Sequence, residues 1–171
     1  MSQQGIGEFG EQFVARCLEQ NGWIILAQRW RCRWGELDIV AHAPEPTNQL
    51  IFVEVKVRGK GSWDQSGLCA ISQKKRQNLI LAAQSFLADY DDFSSCHCRF
   101  DVALLTYDEQ TDEKKPCESI CHDSQGVGLT TLQASLKPLI DTVSDAQGAS
   151  VDDRKISFTI QHYIQGAFDA E

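Results

Sequence analysis

The chain has 171 residues, 42% of them hydrophobic, with seven cysteines and a formal net charge of −8. That length and apolar content suffice for one ordinary domain spanning 1–171 with its own core, which excludes a disulfide-stapled miniprotein and a wholly disordered chain. The longest apolar runs, Trp23–Ala27 and Leu50–Val53, are far too short to cross a bilayer, and the N-terminus lacks a secretion-signal pattern, so a cytoplasmic protein with no membrane association is expected.

In chain order, residues 6–21 predict an amphipathic helix. Ile6, Phe9, Phe13, Val14, Cys17 and Leu18 fall on one arc, Glu11 sits at its edge, Glu8 and Glu19 face away, and Asn21-Gly22 is a stop signal. Three strands follow, at 23–31, 35–42 and 50–58, with Trp34-Gly35 as a tight connection and the Pro44 to Asn48 stretch as a turn. A second helix is expected over 72–90, where Leu79, Ala82, Ala83, Phe86, Leu87 and Tyr90 share a face that Lys75 also enters. A fourth strand is predicted at 99–107 and a last one, or a docked segment, at 156–164. Between them, 108–153 is polar and acidic, with a short candidate helix at 129–143, and reads as a loosely ordered surface insertion.

The charge is unevenly distributed. Residues 1–107 hold 11 basic and 12 acidic residues, net −1, whereas 108–171 hold 5 and 12, net −7. From Trp23 to Arg76 nine basic residues outnumber five acids, a local balance suited either to phosphate or to a merely solvated charged face. Cys96-His97-Cys98 and Cys117-x3-Cys121-His122 could supply metal ligands, but neither has a usual zinc-knuckle spacing, and unpaired thiols are favoured.

The run Leu50-Ile51-Phe52-Val53-Glu54-Val55-Lys56-Val57 places an acid and a lysine on one side of an otherwise apolar strand. Ile51, Val53, Val55 and Val57 take one face; Phe52, Glu54, Lys56 and Arg58 take the other. In the preceding strand Leu37, Ile39 and Ala41 should share a face, with Glu36, Asp38 and Val40 opposite. Were the two strands antiparallel neighbours, Asp38 and Glu54 would emerge together beside Lys56. Crowded carboxylates on a partly buried sheet need a compensating cation or proton, and hard oxygen ligands suit Mg²⁺ or Mn²⁺. An E-x-K triplet alone, however, is so common that a salt bridge on a solvated face is the favoured reading.

The order of elements, helix with an edge glutamate, strand with an Asp, strand with E-x-K, helix, strand, resembles the PD-(D/E)xK nuclease superfamily. More closely, the chain resembles the YraN-like uncharacterised bacterial family, itself similar to archaeal Holliday-junction resolvases. The matching residues are Gly10-Glu11-x3-Ala15-x2-Leu18-x3-Gly22, Arg31-x3-Gly35-Glu36-Leu37-Asp38, Phe52-Val53-Glu54-Val55-Lys56-x-Arg58, Lys75 with Ala82-Ala83, Arg99-Phe100-Asp101-Val102 and Gly166-Ala167-Phe168. The resemblance implies an α/β, restriction-endonuclease-like αβββαβ core with a central mixed sheet flanked by helices, the acidic insertion following the fourth core strand. It implies Asp38, Glu54 and the Val55 carbonyl as metal ligands, Lys56 as the catalytic lysine, and Glu11 as a catalytic group reaching in from the first helix. Arg31, Arg33, Arg58 and Lys75 are expected to contact nucleic acid, while Asp101 is expected to act structurally. The chain departs from the family in its long acidic insertion and in Gln28-Arg29, where an Arg-Asn pair is usual.

The expected function is a Mg²⁺-dependent (or Mn²⁺-dependent) endonuclease acting on DNA, including branched or recombination-derived structures, with a homodimer suited to symmetrical junctions. Two alternatives stand beside it: a non-catalytic nucleic-acid-binding module on the same scaffold, and an interaction protein acting through its acidic insertion.

Overall fold

The computed structural model describes residues 3–44, 46–59, 71–110, 150–151 and 154–168. The elements are α1 (Gln3–Gln20), β1 (Ile24–Cys32), β2 (Gly35–His42), β3 (Gln49–Gly59), α2 (Gln73–Asp89), β4 (His97–Gln110), β5 (Ser150–Val151) and β6 (Arg154–Phe168). They build one mixed sheet in the order β1-β2-β3-β4-β6-β5, in which β3 and β4 are parallel and every other neighbouring pair is antiparallel. The parallel pair needs a crossover, and α2 supplies it. This is the restriction-endonuclease-like αβββαβ arrangement.

Each sheet face carries its own core. Under α1, the side chains of Phe13, Val14 and Leu18 pack against Ile39, Ile51, Val53 and Val55. On the other face, Leu79, Ala82 and Phe86 of α2 pack against Val40, Leu50, Phe52 and Leu104. The face of β3 that bears Glu54 is therefore a second interior rather than a solvated surface, and Glu54 is 2% exposed.

Both helices have ends written in the sequence. At the end of α1 the Trp23 amide donates to Leu18 and the Gly22 amide to Glu19, with Gly22 at φ +84°, a glycine-terminated stop. Ser72 caps α2, its hydroxyl accepting the amide of Lys75 at 3.3 Å. Gly10 lets α1 approach the sheet, since a Cβ there would lie 2.3 Å from Cγ2 of Val57. That contact fixes α1 over the end of β3 and sets the height of the next residue, Glu11.

Several expectations need correction. Leu37 does not share a face with Ile39 and Ala41, but joins Val40 in the α2-side core, so the side-chain alternation of β2 breaks around Asp38. Tyr90 does not join the buried helical face: it lies just past α2, exposed, stacked on Phe86 at 4.5 Å. Glu8 does not face away, because it reaches Arg29 on β1. Strands β4 and β6 outrun the predicted 99–107 and 156–164 because they pair with each other along most of their lengths. Asp101 ties them together: buried, it accepts from Arg99 twice at 2.8 Å, and from the Tyr163 hydroxyl and the Gly166 amide at 3.0 Å each. Burial and the Asp101 charge push the Tyr163 phenol well above its ordinary range. The expected helix at 129–143 and most of the 108–153 insertion, with Cys117, Cys121 and His122, lie outside the described residues.

Candidate active site

The site starts where β2 and β3 part. Their antiparallel ladder runs from His42↔Leu50 to Ile39↔Val53 and goes no further, although β3 continues to Gly59 against β4. Beyond Val53 the β2-facing backbone of β3 has lost its strand partner, and a buried amide without an acceptor is costly. Asp38 fills the gap, its Oδ2 accepting the Val55 amide at 2.8 Å. On the other side of β2 the ladder with β1 skips from Gln28↔Ile39 to Trp30↔Leu37, and Arg29, opposite Asp38, adopts φ +53°. That left-handed backbone is uncommon for a residue with a long side chain and suits Asn better. The irregularity of both strands at Asp38 is what breaks the alternation and turns its carboxylate toward β3.

Glu54 is the most buried acid of the cluster. Its Oε1 receives Lys56 Nζ at 2.6 Å and Lys75 Nζ at 3.1 Å, while its Oε2 is buried with no hydrogen-bond partner. Lys75 arrives from the first turn of α2, where the Ser72 cap fixes the helix start. Burial, and then the Glu54 charge, push Asp38 up to about 6, against the opposing Val55 amide and the charges of Lys75 and Lys56. Asp38, Glu54, Lys56 and Lys75 thus form one electrostatic unit.

Glu11 approaches from the α1 side. Burial, and then the charge of Asp38, push its carboxyl up to about 7, and its Oε2 is buried without a hydrogen bond. The nearest cation is Arg29, whose Nε lies 3.6 Å from Glu11 Oε2 and 3.0 Å from Glu36 Oε1, and whose Nη1 contacts Glu8. Glu36, despite the upward push of burial, is held below its ordinary range by hydrogen bonds from Arg29 and Arg31. Sequence reasoning missed this acidic ring around Arg29; its one signal was an arginine where the family usually has Asn.

The remaining expected site residues disperse. Arg31 is exposed and pairs with Glu36 at 3.1 Å, and Arg33 lies over the Trp34 ring at 4.7 Å in the β1–β2 turn; neither touches the Glu54 cluster. Arg58 lies near the end of β3, lining a cleft with Val55 and Lys56. Lys75, expected as a phosphate contact, lies 3.1 Å from Glu54 as a direct ion-pair partner. The Val55 side chain faces the α1-side core, leaving its backbone for the site. Among the described residues no group of three or more Asp, Glu, His or Cys side chains gathers into a ready-made metal cage.

The model of "Uncharacterised protein family UPF0102" matches residues 10–105. The chain belongs to this family, the YraN family. A UPF0102 protein of Synechococcus sp. (strain JA-3-3Ab) is 55% identical over 104 residues, covering 61% of this chain and 77% of that one. UPF0102 proteins of Acaryochloris marina and Trichodesmium erythraeum are 34% and 35% identical over 95% of this chain, covering 89% and 87% of theirs. The UPF0102 match begins at Gly10 and ends within β4, so Glu11, Asp38, Glu54, Lys56 and Lys75 all fall inside it.

Proposed function

We propose that this UPF0102 protein is a metal-dependent endonuclease that hydrolyses phosphodiester bonds in DNA, including branched or recombination-derived structures. The observation that carries this reading is the carboxylate Glu54, buried in the sheet beside Asp38, with one oxygen on two lysines and the other unpartnered. A buried carboxyl oxygen with no donor is a liability unless a ligand completes it.

The donor set fits Mg²⁺ or Mn²⁺. Asp38, the free oxygen of Glu54 and the Val55 carbonyl would offer three hard oxygens, and the absence of a fuller cage among the described residues suits a cation that keeps waters and shares substrate phosphate. When bound, such a cation would supply Lewis-acid polarisation of the phosphate and acidify a coordinated water.

The protein's own groups account for the rest. The Lys56 ammonium, held by Glu54, would neutralise charge that builds on the phosphate oxygens as water attacks. Lys75 orients Glu54 from the opposite wall, which is a positioning role. The attacking water must lose a proton as its oxygen bonds phosphorus, and the leaving sugar oxygen takes one from a solvent water as the P–O bond breaks. Glu11, reaching toward Asp38 from α1, is the carboxylate that would accept the first.

The test is incubation of the purified protein with linear duplex, single-stranded and four-way-junction DNA in Mg²⁺ or Mn²⁺, with Asp38→Ala as control. Metal-dependent cleavage by the wild type alone supports the reading; none above the variant on any substrate sinks it. One observation favours a second reading, a binding module without catalysis: Lys56 and Lys75 already compensate one oxygen of Glu54. Its mark would be salt-sensitive DNA binding without cleavage.

A further inference from the structure

Glu8 and Glu11 stand one turn apart on α1 and so share a helix face, and Glu36 meets them from β2. All three carboxylates converge on one guanidinium: Arg29 reaches Glu8 through Nη1, and its Nε lies 3.0 Å from Glu36 and 3.6 Å from Glu11. We propose that Arg29 is a built-in cation that takes the place of a second divalent ion on the α1 side of the candidate site, so that the site takes a single ion, at Asp38 and Glu54, and Glu11 is left free of it. The inference rests on the metal-dependent reading of that site, but it is tested by ion binding rather than by cleavage.

Charge comes first. Carboxylates crowded together need a compensating positive charge. These three are partly buried, and their hard oxygens are of the kind that otherwise take Mg²⁺ or Mn²⁺. The guanidinium meets that need with a planar fork whose nitrogens reach separate acceptors, a geometry that a single ammonium does not offer. Arg31 adds a second positive charge at Glu36, 3.1 Å away. A divalent ion seated on Glu11 would stand beside the fixed charge of Arg29, and like charges at ion-pair range repel strongly in a partly buried setting.

The backbone comes second. Arg29 lies opposite Asp38, where the β1–β2 ladder skips from Gln28↔Ile39 to Trp30↔Leu37, and it adopts φ +53°. Such a conformation persists for a long side chain only where surrounding contacts hold it, and the three glutamates are those contacts. The same irregularity turns Asp38 toward the Val55 amide, so one kink directs a cation to α1 and a carboxylate to the candidate metal site. Glu11 feels both, attracted by Arg29 and repelled by Asp38. Held in this way, Glu11 is a positioned acceptor for the proton of the attacking water rather than a metal ligand, and Arg29 is the residue that positions it.

The experiment counts Mn²⁺ ions bound per chain by isothermal titration calorimetry, for wild type, Glu8→Gln, Arg29→Asn, Arg29→Lys and Arg29→Asn combined with Glu8→Gln. Asparagine removes the charge and tolerates left-handed backbone, so Arg29→Asn keeps the fold, which circular dichroism checks. The expected result is one ion in the wild type and in Glu8→Gln, and one more in Arg29→Asn. Arg29→Lys, which keeps the charge, keeps the wild-type count, and adding Glu8→Gln to Arg29→Asn removes the extra ion. A count in Arg29→Asn equal to that of the wild type overturns the proposal. So does a wild type that binds two ions and loses one in Glu8→Gln, a result that needs no substitution at Arg29. No ion in the wild type but one in Arg29→Asn retains the role of Arg29 and discards the metal reading of Asp38 and Glu54. One ion in both, lost in Asp38→Ala, does the reverse.

Discussion

The Val55 amide donates to Asp38 Oδ2 at 2.8 Å, across a gap where β2 and β3 no longer pair as strands. A side chain here does the work of a missing backbone carbonyl, and in doing so it is held within the electrostatic reach of Glu54. The divergence of β2 and β3 is thus also what orients the Asp38 carboxylate toward β3.

Substitutions at Asp38 separate those two duties. Asp38→Asn keeps an oxygen for the Val55 amide and removes the repulsion with Glu54, so in the absence of divalent cations its urea midpoint at neutral pH should equal or exceed that of the wild type. Asp38→Ala leaves the amide without its acceptor and should be about 1–3 kcal/mol less stable than Asp38→Asn. Both should lose cleavage, which equilibrium unfolding and nuclease assays together resolve.

Glu54 has two lysine partners on one oxygen, so removing them singly and together should not be additive. Lys56→Ala or Lys75→Ala alone leaves the other ammonium in place and should cost little stability. The double variant strands a buried carboxylate, and its cost should approach about 3–5 kcal/mol. A double-mutant cycle by urea unfolding measures the coupling. Lys56→Ala alone should abolish cleavage, whereas Lys75→Ala should lower its rate and raise the Mg²⁺ concentration it requires.

The pH dependence has an unusual sign. Burial and neighbouring carboxylates raise Asp38 from 3.8 to about 6 and Glu11 from 4.5 to about 7. Between about pH 4 and pH 7 the folded protein therefore binds more protons than the unfolded chain, and these two groups make stability fall as pH rises through that window and level off above it. A divalent cation competes with protons for the same oxygens. Thermal midpoints should rise on adding Mg²⁺ at about pH 8 and change little at about pH 5. Equal shifts at both values contradict the assignment.

Gly10 should be intolerant for a reason of contact rather than conformation. Gly10→Ala places a methyl 2.3 Å from Cγ2 of Val57, which must lift α1 and with it Glu11. A loss of about 1–3 kcal/mol is expected. Val57→Ala in the same chain should restore part of it, a coupling that unfolding of the single and double variants reads directly.

Much of this site was legible in the sequence because it depends on local pattern. The two-residue repeat put Glu54 and Lys56 on one side of β3, the helical repeat put Glu11 at the edge of an apolar stripe, and Ser72 and Gly22 marked helix ends. What was not legible depends on contacts distant in sequence. Lys75 reads as an anomalous lysine on an apolar helical face until the α2 crossover brings it to Glu54. Leu37 and Asp38 obey no simple alternation because Arg29, on the neighbouring strand, departs from extended backbone. The depth of Glu54 follows from α2 covering a face that alternation alone leaves open to water.

The central claim is that Asp38 and Glu54 hold a divalent cation with which this UPF0102 protein cleaves DNA. Single-turnover cleavage of a labelled four-way junction and of a single strand, followed against Mg²⁺ concentration for wild type, Asp38→Ala and Glu54→Gln, tests it most directly. The account predicts a rate that rises with Mg²⁺ and saturates in the wild type and falls to background in both variants. A rate that persists in a chelator, or survives either substitution, would contradict it, as would the absence of any cleavage by the wild type.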